Sequence, residues 1–257
     1  MLNITTARAQ GNRYYQEDRY VVYKEIDTGG TLVCVMDGHG GEQSAEACYQ
    51  SIHLHVWNGI KSLKTKDTAE RLRALVSILH EQTKDNQSGT TFSCVYLPKK
   101  SSKIWIAVLG DSPVIVSVVG DGYHVSPEHN VRSNEEEAKA AVARGGFIEG
   151  GYLFTDNPNY DLTGPGLQMS RALGDAPLDR VLSREPTIYS LPFKRGDWAL
   201  VCTDGLLSPS HNKKAQKDRL EHIVKLIKEG KNADNLTDDA IKAKTGDNVT
   251  AILIRKV

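Results

Sequence analysis

The sequence predicts an α+β domain in which strands and helices are grouped along the chain. Apolar β-rich runs come in clusters, amphipathic helical patterns come in pairs, and turn signals separate them. This order fits an α+β fold better than the regular alternation of strand and helix that builds a parallel sheet. The chain has 257 residues and no Pro-rich, Ser-rich or repetitive linker. We therefore expect a single domain over residues 1–257 with a substantial core.

The first part of the chain begins with strands and continues with a pair of helices. An alternating N-terminal segment predicts a first strand, and the apolar run 32–36 predicts a buried one. Residues 42–57 are predicted to form a helix. A second helix presents an apolar face made of Leu72, Leu75, Val76 and Leu79. Three β-rich runs then predict strands at 92–97, 104–109 and 114–119.

The second part contains a capped helix and a long irregular segment. Ser133-x-x-Glu136 has the spacing of a capping box, and Gly145-Gly146 ends the helix that it begins. Residues 146–166 carry few helix or strand signals, so we predict a long surface loop of the kind that is often functional. A strand is predicted at 199–202, a short helix over 234–244 and a last strand at 249–254. Between the first of these strands and the short helix, a longer helix ends at Gly230 and carries an apolar face made of Leu220, Ile223, Val224 and Ile227.

The charge and cysteine content exclude several classes of function. The chain has 32 basic and 32 acidic residues, so no global field would draw it to nucleic acid or to an anionic membrane. It has no long apolar stretch, and its N-terminus alternates like a strand and does not resemble a signal peptide. Its four cysteines are widely spaced, which favours reduced core thiols over a zinc site. We expect a cytoplasmic monomer that binds neither nucleic acid nor membrane.

Four aspartates lie at the ends of predicted core strands. Asp37, Asp111 and Asp204 each follow an apolar run closely, and Asp247 precedes the last run. Each of the four is adjacent to a glycine, which lets backbone come close to a bound group. Acids held at one edge of a sheet build an oxygen-lined site for a hard divalent cation. The sequence therefore predicts a metal site at this edge.

Nine short motifs follow one another from the first predicted strand to the last. They are Arg13-x-x-x-Glu17-Asp18, Asp37-Gly38-His39-Gly40-Gly41, Ser88-Gly89-Thr90-Thr91, Gly110-Asp111-Ser112, Gly145-Gly146, Ser170-Arg171-Ala172-Leu173-Gly174-Asp175, Glu185-Pro186, Thr203-Asp204-Gly205 and Gly246-Asp247-Asn248. In this order they closely resemble the motifs of the type 2C protein phosphatases, the metal-dependent Ser/Thr phosphatase family. The resemblance implies a central sandwich of two antiparallel sheets flanked by helices (α-β-β-α), with two Mg²⁺ or Mn²⁺ ions at one edge.

The resemblance also implies a role for each acid of the predicted site. Asp37 would bridge both metal ions, and Gly38 would give its backbone carbonyl to one of them. Asp204 and Asp247 would complete the other. An isolated Asp-Gly pair is more often a turn or a cap, and it is the ordered set of four that favours metal binding. Oxygen ligands favour Mg²⁺ or Mn²⁺, because zinc sites use His or Cys clusters that the sequence lacks.

Three further acids have weaker implied roles. Glu17 and Asp18 would hold metal-bound waters, and Asp111 would contribute to a weak third metal site. Relatives complete that third site with a second aspartate, at the position where this chain has Ser208. Because a hydroxyl is a poorer ligand than a carboxylate for a hard cation, we expect the third site to be weakened or differently completed. Pro113 replaces an arginine that usually follows Gly-Asp-Ser, which could change the packing near Asp111.

The implied reaction is hydrolysis of phosphoserine or phosphothreonine in proteins by a water or hydroxide activated between two cations roughly 3.5–4 Å apart. Arg13 is the candidate for a bidentate clamp on the phosphate, and the alternative is an ordinary exposed arginine. His39 is the candidate acid for the leaving oxygen, and the alternative is support of the metal-bound water. His53 and His55 would face different directions on a helix, and His129 is assigned to a structural segment.

The flap over residues 146–166 departs from the family pattern. Relatives carry a short Arg-Val-x-Gly-like stretch there, whereas residues 152–161 of this chain are aromatic and mildly acidic. The flap either selects substrates or is a tolerated surface insertion. The leading function is a phosphatase of phosphorylated proteins in signalling, because no core ligand is lost. The alternatives are a regulatory pseudophosphatase that binds proteins and a phosphatase of a small phosphorylated metabolite.

Overall fold

The computed structural model describes residues 1–24, 30–54, 67–118, 122–155, 166–207 and 213–257. The α-helices among these residues are α1 (Gln43–Leu54), α2 (Thr68–Thr83), α3 (Glu135–Ala143), α4 (Lys213–Lys228) and α5 (Ala233–Lys242). The strands are β1 (Leu2–Ala9), β2 (Arg19–Lys24), β3 (Thr31–Met36), β4 (Gly38–His39), β5 (Gly89–Thr90), β6 (Phe92–Leu97), β7 (Lys103–Leu109), β8 (Val114–Ser117), β9 (Tyr123–Val125), β10 (Phe147–Glu149), β11 (Tyr152–Phe154), β12 (Leu173–Gly174), β13 (Thr187–Pro192), β14 (Trp198–Cys202) and β15 (Val249–Lys256).

Two five-stranded antiparallel sheets form the centre of the described structure. The first sheet has the strand order β1-β15-β14-β8-β9, and the second has the order β13-β7-β6-β3-β2. Valine and isoleucine side chains from both sheets fill the space between them. Helices α1 and α2 cover the outer face of the second sheet, and α4 and α5 cover the outer face of the first. The predicted α-β-β-α sandwich is confirmed.

Strand β3 shows why the core strands are apolar along their whole length. Leu32, Cys34 and Met36 belong to the cluster that includes α1 and α2. Val33 and Val35 alternate with them and belong to the cluster between the sheets. Since successive side chains of a strand point to opposite faces, a strand covered on both faces needs apolar residues at every position. All five are fully buried.

Helix α3 begins one residue later than its predicted capping box. Asn134 is the N-cap, and its side-chain oxygen accepts hydrogen bonds from the backbone N–H groups of Glu136 at 3.1 Å and Glu137 at 3.4 Å. Asn134 has extended backbone, which brings its short side chain over the first turn. The hydroxyl of Ser133 is buried without a hydrogen-bond partner in the described structure. The capping-box prediction from Ser133 is therefore wrong by one position.

The predicted flap loop begins as a β-hairpin. Strands β10 and β11 pair with Glu149 opposite Tyr152, so Gly150-Gly151 forms a two-residue turn. Both glycines have positive φ, at 59° and 83°, which a tight hairpin turn of this kind requires. The expectation of irregular structure from residue 146 onward is corrected for this part. Residues 156–165, which carry Asp156 and Asp161, lie outside the described residues, as do His55 and Trp57 of the predicted first helix.

The cysteines and the apolar character of the helices were also predicted from the sequence. The four cysteines are buried and free, as expected for reduced core thiols. Cys34 and Cys94 lie opposite each other on β3 and β6, inside the cluster under α1 and α2. Among the described helices, none is long and apolar enough to cross a membrane.

Candidate active site

Asp37 lies where β3 leaves the second sheet. Its backbone N–H donates to the Thr91 hydroxyl at 3.1 Å, and its carbonyl accepts from the Thr91 N–H at 2.9 Å and from the Thr90 hydroxyl at 3.1 Å. Gly38 follows in β4, with the Glu17 backbone so close that a Cβ on Gly38 would lie 2.6 Å from the Glu17 carbonyl oxygen. These contacts fix the backbone of Asp37 and Gly38 at one end of the sandwich.

The other predicted acids reach the same end of the sandwich from several elements. Asp204 begins a short 3₁₀ turn after β14, Asp247 precedes β15, and Asp111 follows β7. Together they line a cavity of about 650 Å³. Of the predicted site residues, eight contribute to its wall: Arg13, Glu17, Asp37, Gly38, His39, Asp111, Asp204 and Asp247. The structure thus brings together side chains that are far apart in the sequence.

Asp18 lies behind this wall and is fully buried. Its Oδ2 accepts hydrogen bonds from the hydroxyls of Thr250 at 2.7 Å and Thr203 at 3.0 Å, while its buried Oδ1 has no hydrogen-bond partner in the described structure. Burial raises the pKa of Asp18 to about 6, although both threonine hydrogen bonds act in the opposite direction. A buried carboxylate oxygen without a partner is costly unless a bound group satisfies it.

Burial and mutual repulsion affect the acids of the cavity in the same direction. Desolvation raises the pKa of Asp37 and of Asp204 well above the usual range, and the charges of neighbouring acids raise both further. The pKa of Asp111 is also raised by burial, against a hydrogen bond that its Oδ2 accepts from the Asn130 side chain at 3.0 Å. These carboxyl groups therefore favour their protonated forms unless a cation neutralises their charge.

The donor set fits a hard divalent cation, although the side chains are not already placed around one. The acids offer oxygen ligands, and Asp18 has an unsatisfied buried oxygen beside them. Within the described residues, however, no group of three or more His, Cys, Asp or Glu side chains could hold a metal ion as it stands. Both carboxylate oxygens of Asp247 are engaged within the protein, since its Oδ1 accepts from the Asn248 N–H at 2.8 Å and its Oδ2 from Arg13 at 2.7 Å.

Arg13 lies at the mouth of the cavity. Its Nη2 donates to Asp247, and its Nε donates to the Gly246 carbonyl at 3.0 Å. The side chain remains 52% exposed, so the guanidinium is accessible to a ligand that enters the cavity. The same planar group that pairs with a carboxylate can bind two oxygens of a phosphate. Arg13 is thus positioned for the predicted clamp but engaged with an acid of the site.

His39 has a partner that the sequence analysis did not assign. Its Nε2 lies 3.0 Å from Oδ1 and 2.9 Å from Oδ2 of Asp175, which is 136 residues away in the sequence. Asp175 ends the Ser170–Asp175 motif, so the motif was recognised while the contact was not. The hydrogen bond from the Asn130 side chain to Asp111 was also not predicted. Thr203 directly precedes Asp204, which was a signal for it, whereas Thr250 lies three residues after Asp247 inside an apolar run and had no such signal.

His129 is a structural residue next to the site. Its Nδ1 accepts a hydrogen bond from the Gly110 N–H at 3.1 Å, and its Nε2 lies 2.9 Å from the Thr187 hydroxyl. Burial lowers the pKa of His129 to about 4, so the ring is neutral near pH 7 and holds the turn that carries Asp111. Ser208, at the second position of the predicted third metal site, lies outside the described residues.

The fold and the acidic cavity define a class of metal-dependent phosphatases, and comparison with known proteins gives the family. The model of the family described as Protein phosphatase 2C matches residues 3–249. The chain belongs to this family of metal-dependent Ser/Thr phosphatases. It is 27% identical over 225 residues to Protein phosphatase fem-2 of Caenorhabditis elegans, a match that covers 80% of this chain and 47% of fem-2. It is 26% identical over 255 residues to Probable protein phosphatase 2C 45 of Oryza sativa subsp. japonica, covering 97% of this chain and 86% of that protein.

Solved structures share the fold at low sequence identity. A Caenorhabditis elegans sex determining protein superposes with a TM-score of 0.75 and 22% identity, covering 98% of this chain and 64% of that chain. The catalytic domain of the phosphatase PstP in complex with two manganese ions superposes with a TM-score of 0.62 and 20% identity, covering 99% of this chain and 97% of that chain. At these identities the structures establish the architecture. The chain spans about half of fem-2, so the activity of that whole protein is not transferred to it.

Proposed function

We propose that this chain hydrolyses phosphoserine and phosphothreonine in proteins, with two Mg²⁺ or Mn²⁺ ions as cofactors. The observation that carries the proposal is the acidic end of the cavity, where burial and the charges of neighbouring acids raise the pKa of Asp37 and of Asp204, next to the unpartnered Oδ1 of Asp18. A protein interior tolerates such a cluster when a cation neutralises it. Membership of the protein phosphatase 2C family supports phosphatase activity at this acidic cluster.

The proposed cofactor residues follow the family motifs. Those that would hold the two ions, directly or through water, are Asp37, the Gly38 carbonyl, Asp204, Asp247, Glu17 and Asp18, with Asp111 available for a weaker third ion. Bound ions would supply positive charge toward the phosphoryl oxygens and lower the pKa of the attacking water. The PstP catalytic domain in complex with two manganese ions supports the choice of two ions and of Mn²⁺.

Two side chains would act on the substrate itself. Arg13 would exchange its contact with Asp247 for the phosphate, which frees a carboxylate oxygen of Asp247 at the same moment. His39 lines the cavity and would give a proton to the serine or threonine oxygen as the P–O bond breaks. The remaining cavity wall extends to Tyr152, Met169 and Leu220, farther than a phosphate alone requires. This extra wall favours a peptide segment over a small metabolite.

The test compares purified protein on a panel of phosphopeptides and of phosphorylated metabolites, with Mn²⁺ present. We expect the highest kcat/KM on phosphopeptides. An Asp204→Asn variant is the control against contaminating phosphatase, because it removes a proposed ligand charge and should abolish turnover. A preference for metabolites would establish the alternative substrate class. No turnover of any substrate by protein that binds Mn²⁺ would favour the regulatory pseudophosphatase.

A further inference from the structure

We propose that Asp175 is a positioning residue for His39, and that their contact fixes which imidazole nitrogen faces the leaving oxygen of the substrate. The inference rests on the proposed function, because it concerns proton transfer in that reaction. It starts from the contact between His39 Nε2 and both carboxylate oxygens of Asp175, at 3.0 and 2.9 Å. Asp175 is 6% exposed, so this contact is largely shielded from water.

A small three-stranded sheet is built so that the two side chains can meet. Its strand order is β12-β5-β4, and His39 lies opposite Gly89, which lies opposite Gly174. A Cβ on Gly89 would lie 2.0 Å from Asp175 Oδ2 and 2.2 Å from His39 Nε2. Such a separation is far shorter than a van der Waals contact. The missing side chain of Gly89 therefore provides the space that the carboxylate and the imidazole share.

The backbone of Asp175 is held in an unusual conformation. Its φ of 53° and ψ of 51° place it in the left-handed region, which a residue other than glycine seldom adopts. Its N–H donates to the Ser88 carbonyl at 3.0 Å, in the residue just before Gly89. Residues kept in such conformations cluster at functional sites because the surrounding structure must stabilise them. Here the strained residue is the one that carries the carboxylate to His39.

The contact assigns the two ring nitrogens different tasks. In the proposed tautomer Nε2–H donates to Asp175, and Nδ1 carries the proton that is transferred. When the P–O bond of the substrate breaks, its electron pair stays on the serine or threonine oxygen, which takes the Nδ1 proton. The ring is left neutral with Nε2–H still donating to the carboxylate. A carboxylate that fixes tautomer and ring orientation in this way supports proton transfer without exchanging a proton itself.

A substrate comparison separates this role from a structural ion pair. The matched variants are Asp175→Asn and Asp179→Asn, the second an exposed acid that pairs with Arg184. General acid catalysis contributes about 10²–10⁴-fold, so Asp175→Asn should slow a phosphoserine peptide at least about tenfold. An aryl phosphate, whose phenolate leaves without a proton, should be slowed much less. Asp179→Asn should match the unmodified protein on both substrates.

Two further measurements complete the test. His39→Ala combined with Asp175→Asn should be no slower than His39→Ala alone, because a positioning residue has no effect once its target is gone. ¹⁵N NMR of metal-free protein should show His39 protonated at Nε2 when neutral, and this preference should be lost in Asp175→Ala. Equal losses on both substrates, an additive double variant or an unchanged tautomer would overturn the proposal. A protein that turns over no substrate would instead defeat the proposed function, and the NMR result would still decide the contact.

Discussion

At the scale of single residues, neutral hydrogen-bonding side chains hold the charged ones in place. Asp18 is held by two threonine hydroxyls and Asp111 by the Asn130 amide. Neutral partners orient a carboxylate without cancelling its charge, so the charge remains available to a cation. A cationic partner would instead compete with a metal ion, as Arg13 would at Asp247. The polar residues around the cavity are therefore as informative about its chemistry as the acids.

His129 leads to a stability prediction with a defined pH dependence. Its pKa is about 4 in the folded protein and near 6.5 when unfolded, so between these values the unfolded state binds an extra proton. Stability from the neutral ring is fully present above about pH 6.5. It is lost as pH falls toward 4, by at most about 1.4 kcal/mol per pH unit.

The matched measurement is urea unfolding of the protein and of His129→Gln between pH 4 and 8. At pH 7.5 the variant should be less stable by about 1–3 kcal/mol, because the buried Gly110 N–H loses its acceptor. The difference between the two proteins should shrink as the pH falls, since only one of them carries the titrating ring. A difference that stays constant down to pH 4 would show that His129 is not held neutral.

The role of a residue could be predicted from the sequence only where a local motif indicates that role. Asp37, Asp204 and Asp247 were found because each is next to a glycine and to an apolar strand. Asp175 also follows a glycine and ends a recognised motif, but neither feature indicates its contact with His39, and Asn130 is not next to a glycine. Their importance comes from contacts across 136 and 19 residues, which depend on how the sheets are assembled. A sequence pattern shows which residues are neighbours along the chain, whereas these contacts join residues that only the folded structure brings together.

At the scale of elements, the core strands were predicted and the flap hairpin was not. The core strands are buried on both faces, so they appear as uninterrupted apolar runs. Strands β10 and β11 have three residues each and a mixed pattern. The Gly150-Gly151 pair between them was a hairpin signal that could have been used, since two glycines favour the positive φ values of a tight turn.

The hairpin offers a prediction from two neighbouring residues with opposite surroundings. Tyr152 is 40% exposed and lines the cavity, whereas Leu153 is fully buried in the small core beneath the flap. Tyr152→Ser should change the ranking of kcat/KM among phosphopeptides by about 2–10-fold, the effect of about 0.5–1.5 kcal/mol for a lost aromatic contact. Its melting temperature should be nearly unchanged.

Leu153→Ala is the contrasting variant. It should destabilise the flap by about 2–5 kcal/mol, because it opens a cavity in a small core. Limited proteolysis of the flap would measure that loss, and aryl phosphate turnover would show whether the metal end of the cavity is intact. If Tyr152→Ser leaves the peptide ranking unchanged, the flap is a tolerated insertion and has no part in substrate selection.

At the scale of the whole molecule, the candidate site joins the two halves of the sandwich. Asp37 extends from a strand of the second sheet, whereas Asp204 and Asp247 belong to the ends of strands in the first. The sandwich was predicted from the order of nine motifs and not from periodicity, which by itself supported only an α+β class. The pairing of the two sheets depends on long-range contacts, and so it required either a family resemblance or a structure.

The position of the site predicts that metal stabilises the whole fold. Cations held by acids from both sheets would bind the folded protein and not the unfolded chain, so stability should rise with metal concentration. At a free Mn²⁺ concentration about 100 times Kd, the gain is about 2.7 kcal/mol. For a chain of this size that corresponds to roughly 5–11 °C in Tm.

Asp37→Asn should lose most of this shift in Tm, whereas Asp179→Asn, which changes an exposed acid away from the cavity, should keep it. Differential scanning calorimetry with and without Mn²⁺ measures both. A full shift in Asp37→Asn would show that the stabilising ion binds elsewhere, and the proposed bridging role of Asp37 would be wrong.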